Sequence, residues 1–199
     1  MTALIALPIL VPLLGAAISI GIGRSRNIQR IISIATLAGV SVASAILLAR
    51  VDVDGTAATQ VGGWVAPIGI TLVADRLAAI LLVVSMLTML AVLLFAIGQP
   101  GAEDKHVGFH PLYLILTAGV AFSFLTGDLF NLFVAFEVML MASYALITLG
   151  GRADQVRSGM TYVVVSLIAS TLFLVALAFI YAAVGTVNLA DLSGKVADL

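Results

Sequence analysis

Residues 129–149 read LFNLFVAFEVMLMASYALITL, a predominantly apolar stretch with one charged side chain, Glu137, near its middle. A helix needs roughly 20 such residues to cross the hydrocarbon core of a membrane. Five other stretches are long and apolar enough, or nearly so, to cross as well: 3–22, 31–49, 77–97, 109–125 and 160–184. The sequence therefore predicts an all-α, polytopic transmembrane helix bundle with about six spans, in a single domain covering residues 1–199.

The composition excludes several classes of function. The 199 residues are 62% hydrophobic and 10% charged, whereas a soluble domain is about one quarter charged. The net charge of −1 leaves no basic excess for a nucleic-acid partner. The absence of cysteine removes disulfides, thiolate metal sites and iron–sulfur clusters. The sequence also lacks nucleotide-binding glycine motifs, so we expect a transporter component rather than an enzyme, without a cofactor.

The basic residues predict an orientation, because short cytoplasmic loops collect Lys and Arg. If six spans alternate, one side of the membrane receives Arg24, Arg26, Arg30, Lys105, Arg152 and Arg157, and the other receives Arg50, Arg76 and Lys195. The first group is expected to be cytoplasmic. Both ends of the chain are then expected to lie outside.

The longest connection between spans, residues 50–76, contains the segment GGWVAPIGITL at 62–72. Its turn formers and β-branched residues predict a short extracellular hairpin, or an ordered loop without a sheet, near residues 61–74. Trp64 is expected at the membrane interface. Asp75 and Arg76, which open the third span, are expected to form an ion pair there.

Glu137 is the candidate functional residue. It lies eight residues from Leu129 and twelve from Leu149, which at about 1.5 Å per residue places it roughly 12 and 18 Å from the two ends of its helix. A charge at such depth costs about 2.5–3.5 kcal/mol or more, and intramembrane carboxyls usually have a function. A carboxyl can take up and release a proton, and we therefore predict that Glu137 is a proton carrier. The alternative is a structural, protonated Glu137 that hydrogen-bonds a neighbouring helix.

Hydroxyl groups near Glu137 form a candidate proton path. Tyr144 and Thr148 lie within about 20° of Glu137 around the helix and lead toward the cytoplasmic end. On the opposite side of Glu137 the same stripe is aromatic. Three more hydroxyls share one face of the sixth span: Tyr162, Ser166 and Ser170. Such groups are equally common as packing and hydrogen-bonding residues in membrane helices.

Two further polar positions have simpler interpretations. Asp128 precedes the fifth span and is followed three residues later by Asn131, a spacing that predicts a helix N-cap. His106 and His110 are four residues apart, which is compatible with metal binding on a helix. Because no ligand cluster accompanies them, we expect no metal site.

Three segments resemble the antiporter-like membrane subunits of respiratory complex I, membrane-bound hydrogenases and Mrp-type cation/proton antiporters. Residues 125–144, LTGDLFNLFVAFEVMLMASY, resemble the fifth helix of that superfamily. The segment around Trp64, residues 62–75, looks most like the D-type membrane subunit of Mrp antiporters. Residues 185–192, GTVNLADL, resemble the stretch after that family's sixth helix.

The resemblance implies that Glu137 handles protons in a multisubunit Na⁺/H⁺ antiporter of the prokaryotic plasma membrane. Other membrane subunits, the lipid bilayer, H⁺ and Na⁺ are the partners it implies. The family pairs this glutamate with a lysine on a later helix that has no counterpart up to Leu199. We therefore expect the chain to be the N-terminal part of a longer subunit.

Thr161 stands where many relatives carry a basic residue. The resemblance therefore does not predict a second charged residue in the candidate proton path. Two other hypotheses remain open. One is a proton-pumping subunit of a redox-driven complex I-like NADH–quinone oxidoreductase or a hydrogenase. The other is a scaffold in which Glu137 is inert.

Overall fold

Helices occupy all six apolar stretches. The computed structural model describes residues 2–23, 25–64, 69–99 and 108–196. The helices are α1 (Thr2–Ile22), α2 (Arg26–Asp54), α3 (Arg76–Gly98), α4 (Phe109–Leu125), α5 (Leu129–Thr148), α6 (Ala153–Val184) and α7 (Leu189–Val196); the strands are β1 (Ala57–Gln60) and β2 (Thr71–Ala74). We call the end of the bundle that carries the strands the hairpin end, and the opposite end, where Arg26 and Arg152 lie, the arginine end.

The predicted all-α polytopic fold is confirmed. Within the described ranges, five helices are long and apolar enough to span a membrane, and α4 is a shorter apolar helix. Two helices extend well beyond their apolar stretches: α2 begins at Arg26 rather than residue 31, and α6 begins at Ala153 rather than residue 160. Hydropathy locates the part of a helix that crosses hydrocarbon, whereas backbone caps end it. Gly185, with a φ of 76°, ends α6 by donating its N–H to the Tyr181 carbonyl.

Helix α4 is the centre of the bundle, with α1 and α5 packed closely against it. Two glycines allow this approach. A Cβ on Gly15 of α1 would lie 3.2 Å from the Leu114 side chain of α4, and one on Gly119 of α4 would lie 2.6 Å from the Met139 side chain of α5. Small residues at helix contacts let the backbones come together. By contrast, α6 packs mainly against α5, and most of its surface is exposed.

The connection between α2 and α3 forms an antiparallel hairpin in which Ala57 faces Ala74 and Gln60 faces Thr71. The predicted position near 61–74 was wrong for the first strand, which precedes that segment. Gly62 and Gly63, with φ of 73° and 76°, belong to the turn. The sequence AATQ of β1 has little strand propensity of its own, so its pairing depends on β2. Trp64 is 67% exposed.

Three separate connections pair their backbones at the hairpin end, and Gly127 lies at the centre. Its N–H donates to the Thr71 carbonyl at 2.8 Å, and its carbonyl accepts the Leu189 N–H at 2.9 Å. Next to it, the Leu129 N–H donates to the Val187 carbonyl at 2.9 Å. The hairpin, the α4–α5 connection and the α6–α7 connection are thus joined as in a small sheet.

Asn188 strengthens this junction with its side chain. The amide nitrogen donates to the Thr71 hydroxyl at 3.1 Å, and the amide oxygen accepts the N–H of Ala190 at 3.1 Å, which caps α7. Asp191 lies on α7, and hydrogen bonds from the Thr186 hydroxyl, which precedes the helix, and from Lys195 lower the pKa of its carboxyl. Asn188 is 3% exposed, so its amide is satisfied by protein groups, as a buried amide must be.

The expected Asp75–Arg76 ion pair was wrong. Asp75 caps α3 by accepting the Ala78 N–H at 2.7 Å, and Arg76 pairs with Asp52 at 2.8 Å. Neighbouring residues at a helix start point in different directions, so Arg76 reaches the end of α2 instead. Both side chains of the Arg76–Asp52 pair are largely exposed, and such a surface pair adds little stability.

Gly127→Ala is expected to destabilise the fold, because the added Cβ would lie 2.6 Å from the Cγ2 of Val73 in β2. Overpacking of this kind costs about 1–3 kcal/mol. The measurement is the apparent melting temperature of the purified protein in detergent. Gly39→Ala is the matched control, because a Cβ there meets nothing within 4 Å. A melting temperature for Gly127→Ala equal to that of the control would contradict the prediction.

Candidate functional site

Helix α5 presents different faces to its two neighbours. Asp128 begins it by accepting the Asn131 N–H at 3.0 Å, which confirms the predicted N-cap. The buried residues Ala135 and Ala142 lie on the side that packs against α4. Because successive helical residues are about 100° apart, Glu137 points away from Ala135 and toward α6.

The Glu137 carboxylate accepts a hydrogen bond from the Ser170 hydroxyl of α6. Within the described part of the chain, Ser170 is its hydrogen-bond partner. A hydrogen bond to a carboxylate is about twice as strong as one between neutral groups. This hydrogen bond connects α5 to α6 near the middle of α5.

A cavity of about 310 Å³ lies beside this pair, between α5 and α6. Ser166 and Ser170 supply its hydroxyl groups, and the remaining lining residues are apolar or aromatic: Phe136, Leu140, Ala169 and Phe173. A space with this volume is large enough for several water molecules, each of which needs polar partners. Among the lining residues, the Ser166 and Ser170 hydroxyls are the groups that could provide them.

Aromatic rings border the pair on both sides. Toward the hairpin end, the Phe173 ring of α6 lies 6.0 Å from the Phe133 ring of α5, centre to centre. Toward the arginine end, Tyr144 of α5 and Tyr162 of α6 meet edge to face at 5.3 Å. The hairpin side of Glu137 is therefore closed by hydrocarbon rings, whereas the arginine side has rings that carry hydroxyls.

The structure brings together most of the residues of the candidate path, but not all. Ser170 bonds Glu137, Ser166 lines the adjacent cavity, and Tyr144 contacts Tyr162. Thr148 is different, because its hydroxyl donates to the Tyr144 carbonyl at 2.8 Å within its own helix. Its methyl group packs on Gly159 of α6, where a Cβ would lie 2.5 Å away.

The sequence pattern missed Phe173 and the cavity. Phe173 follows Ser170 by three residues, and this spacing places both on one face of α6. Once Ser170 is known to lie at the site, the same helical spacing places Phe173 beside it. The cavity depends on how closely α5 and α6 approach each other, which single-helix patterns do not specify.

The two histidines do not form a site in the described structure. His106 lies outside the described residues. His110 is buried, with 2% of its surface exposed, and its ring contacts that of Phe109 at 5.4 Å. Among the residues that the structure describes, no group of three His, Cys, Asp or Glu could hold a metal ion.

The fold and the site together define a class: a multi-pass membrane protein with a carboxyl in the middle of a helix. In membranes, such groups occur along ion and proton pathways. Comparison with known proteins narrows this class. Residues 126–197 match the family model described as NADH:quinone oxidoreductase/Mrp antiporter, transmembrane.

Similar proteins extend the match to the whole chain. The chain is 43% identical over 199 residues to the D-type subunit of the Na(+)/H(+) antiporter of Alkalihalophilus pseudofirmus, covering 100% of the chain and 40% of that protein. It is 42% identical over 202 residues to the D-type subunit of a probable K(+)/H(+) antiporter of Rhizobium meliloti, with 98% and 37% covered. The chain thus spans well under half the length of these relatives.

Solved structures agree. The Mrp complex from Dietzia sp. DQ12-45-1b matches with a TM-score of 0.88 at 32% identity, covering 99% of this chain and 40% of that one. An archaeal membrane-bound sulfane sulfur reductase matches with a TM-score of 0.78 at 29% identity, with 95% and 38% covered. Residues 126–197 thus match the NADH:quinone oxidoreductase/Mrp antiporter family model, and the whole chain is similar to the D subunits of these antiporters. It is a multi-pass protein of the prokaryotic plasma membrane.

Because the natural chain has no cysteine, single cysteines can test whether the α5–α6 cavity holds water. Ser166→Cys is expected to react with a small methanethiosulfonate reagent about an order of magnitude faster than a shielded cysteine, because only the hydrated thiol ionises readily. Ser44→Cys is the matched control, since Ser44 is 0% exposed. Equal labelling rates for the two variants would show a dry cavity.

Proposed function

We propose that the chain is the proton-translocating part of a subunit of a multisubunit Na⁺/H⁺ antiporter, with Glu137 as the intramembrane proton carrier. The observation that carries the proposal is the Glu137 carboxyl in the middle of α5, bonded to Ser170, which itself lines a cavity between α5 and α6. The relatives named as antiporter subunits support the transport reaction. They also favour it over the redox-driven alternative.

The chemistry of a carboxyl suits this role. Ionised Glu137 is costly in a medium of low dielectric constant, and protonated Glu137 carries no charge. Each change between the two forms takes up or releases one proton. A cycle of uptake from one side and release toward a second group would move that proton through the membrane.

The path that we propose leads from the arginine end to Glu137. Tyr162 and Tyr144 stand at its entrance, and Ser166 and Ser170 continue it along α6 to the carboxyl. Water in the α5–α6 cavity would connect these hydroxyls, since direct bonds between them are not found in the described residues. The Phe133–Phe173 contact would stop water from passing further toward the hairpin end.

We propose that the other groups needed for antiport lie outside this chain. Relatives more than twice as long contain further segments, and we propose that this chain is the N-terminal part of such a subunit. The second group that receives the proton, the Na⁺ site and the companion membrane subunits would then be supplied by those segments and by other chains.

We propose that the arginine end faces the cytoplasm and that the N-terminus lies outside. In intact cells, an impermeant thiol reagent is expected to label Thr56→Cys, at the hairpin end, and to spare Ser25→Cys, at the arginine end. Labelling after permeabilisation controls for reactivity, because both cysteines should then react. Preferential labelling of Ser25→Cys in intact cells would reverse the orientation.

Glu137→Gln, which keeps the volume but cannot ionise, is expected to abolish Na⁺-driven proton movement in everted vesicles containing the complete antiporter. The measurement is the dissipation of a pH gradient on Na⁺ addition. Asp154→Asn is the control, because it removes a carboxyl that is exposed and paired with Arg152 outside the apolar part of α6. Full antiport by Glu137→Gln at normal expression would refute the proposal, and normal transport with lost assembly would favour the scaffold.

A further inference from the structure

Ser170 differs from many of the serines and threonines in the membrane helices. Serine and threonine in helices commonly donate to the carbonyl four residues earlier, and several here do so: Ser41, Ser44, Thr88, Thr117, Thr148 and Thr171. Ser170 donates to the Glu137 carboxylate on another helix instead. Thr171, its direct neighbour, donates to the Leu167 carbonyl at 2.7 Å.

The Ser170 hydroxyl therefore has two acceptors within reach of a change of rotamer. One is the Glu137 carboxylate, and the other is the carbonyl of Ser166, four residues earlier on α6. The carboxylate is the stronger acceptor while it is ionised. Protonation removes its charge, and the preference for Glu137 over the backbone carbonyl weakens.

We propose that Ser170 is a positioning residue that holds ionised Glu137 against α6 and releases it on protonation by turning to the Ser166 carbonyl. This inference rests on the proposed function of Glu137 as a proton carrier. Ser170 lines the cavity between α5 and α6, which provides the space in which its hydroxyl turns. Ser170 thus makes the position of Glu137 depend on whether it carries a proton.

No other titratable group on the helices around Glu137 bonds to it within the described residues. Helix α4 carries His110 and Tyr113 near the arginine end, and α6 carries Tyr162 and Tyr181. The charged residues lie at the helix ends: Asp128 on α5 and Arg152, Asp154 and Arg157 around the start of α6. Helix α5 itself carries Tyr144. The donated bond from Ser170 is thus the hydrogen bond that reaches the Glu137 carboxylate within the described residues.

The test is the pH profile of antiport in vesicles containing the complete antiporter with Ser170→Ala. Ser170→Ala removes a charge-assisted hydrogen bond to the ionised carboxylate, so the acid limb of the profile is expected to move about one unit to higher pH. Ser170→Thr, which keeps the hydroxyl, is expected to restore the limb toward its original position. Thr171→Ala is the matched control and is expected to leave the profile unchanged.

Two results would overturn the inference. One is an unchanged profile in Ser170→Ala with assembly verified by copurification. The other is an equal shift in Thr171→Ala, because the shift would then not depend on the bond to Glu137. Loss of antiport in Glu137→Gln together with either result refutes the role of Ser170 alone, whereas full antiport in Glu137→Gln refutes the proton-carrier proposal itself.

Discussion

The backbone of Gly127 joins three parts of the chain that are far apart in sequence. Its N–H and carbonyl are both used, one by the hairpin and the other by Leu189, the first residue of α7. Irregular backbone near a membrane must satisfy its polar groups within the protein, and this arrangement satisfies them without a large sheet. A side chain at residue 127 would collide with Val73, so the junction depends on glycine.

This junction also constrains how α5 and α6 meet. The Leu129–Val187 bond connects the beginning of α5 to the segment that follows α6, and residues 149–152 connect the two helices at the arginine end, so both connections limit the relative height of the two helices. Eight residues into α5, Glu137 then arrives opposite Ser170. The site in the middle of the membrane thus depends on hydrogen bonds formed at its edge.

Much of the fold and part of the site could be predicted from the sequence. The six helices could be predicted because a helix needs roughly 20 apolar residues to cross a membrane. Glu137 stands out within its stretch because it is charged. The hairpin was misplaced because the strand tendency of Ala57–Gln60 comes from its partner strand. The predicted ion pair between Asp75 and Arg76 was wrong, and the sequence offered several hydroxyls as partners of Glu137 without a way to choose among them. Both failures have one cause, because the direction of a side chain between helices is not encoded in a single-helix pattern.

The joined ends of α5 and α6 have a mechanical consequence. At the hairpin end the Leu129 N–H donates to the Val187 carbonyl, and at the arginine end residues 149–152 link the end of α5 directly to the start of α6. Two rods held at both ends can separate only between those ends, by bowing apart. Any widening between α5 and α6 is therefore greatest in the middle of the pair, where Glu137 meets Ser170.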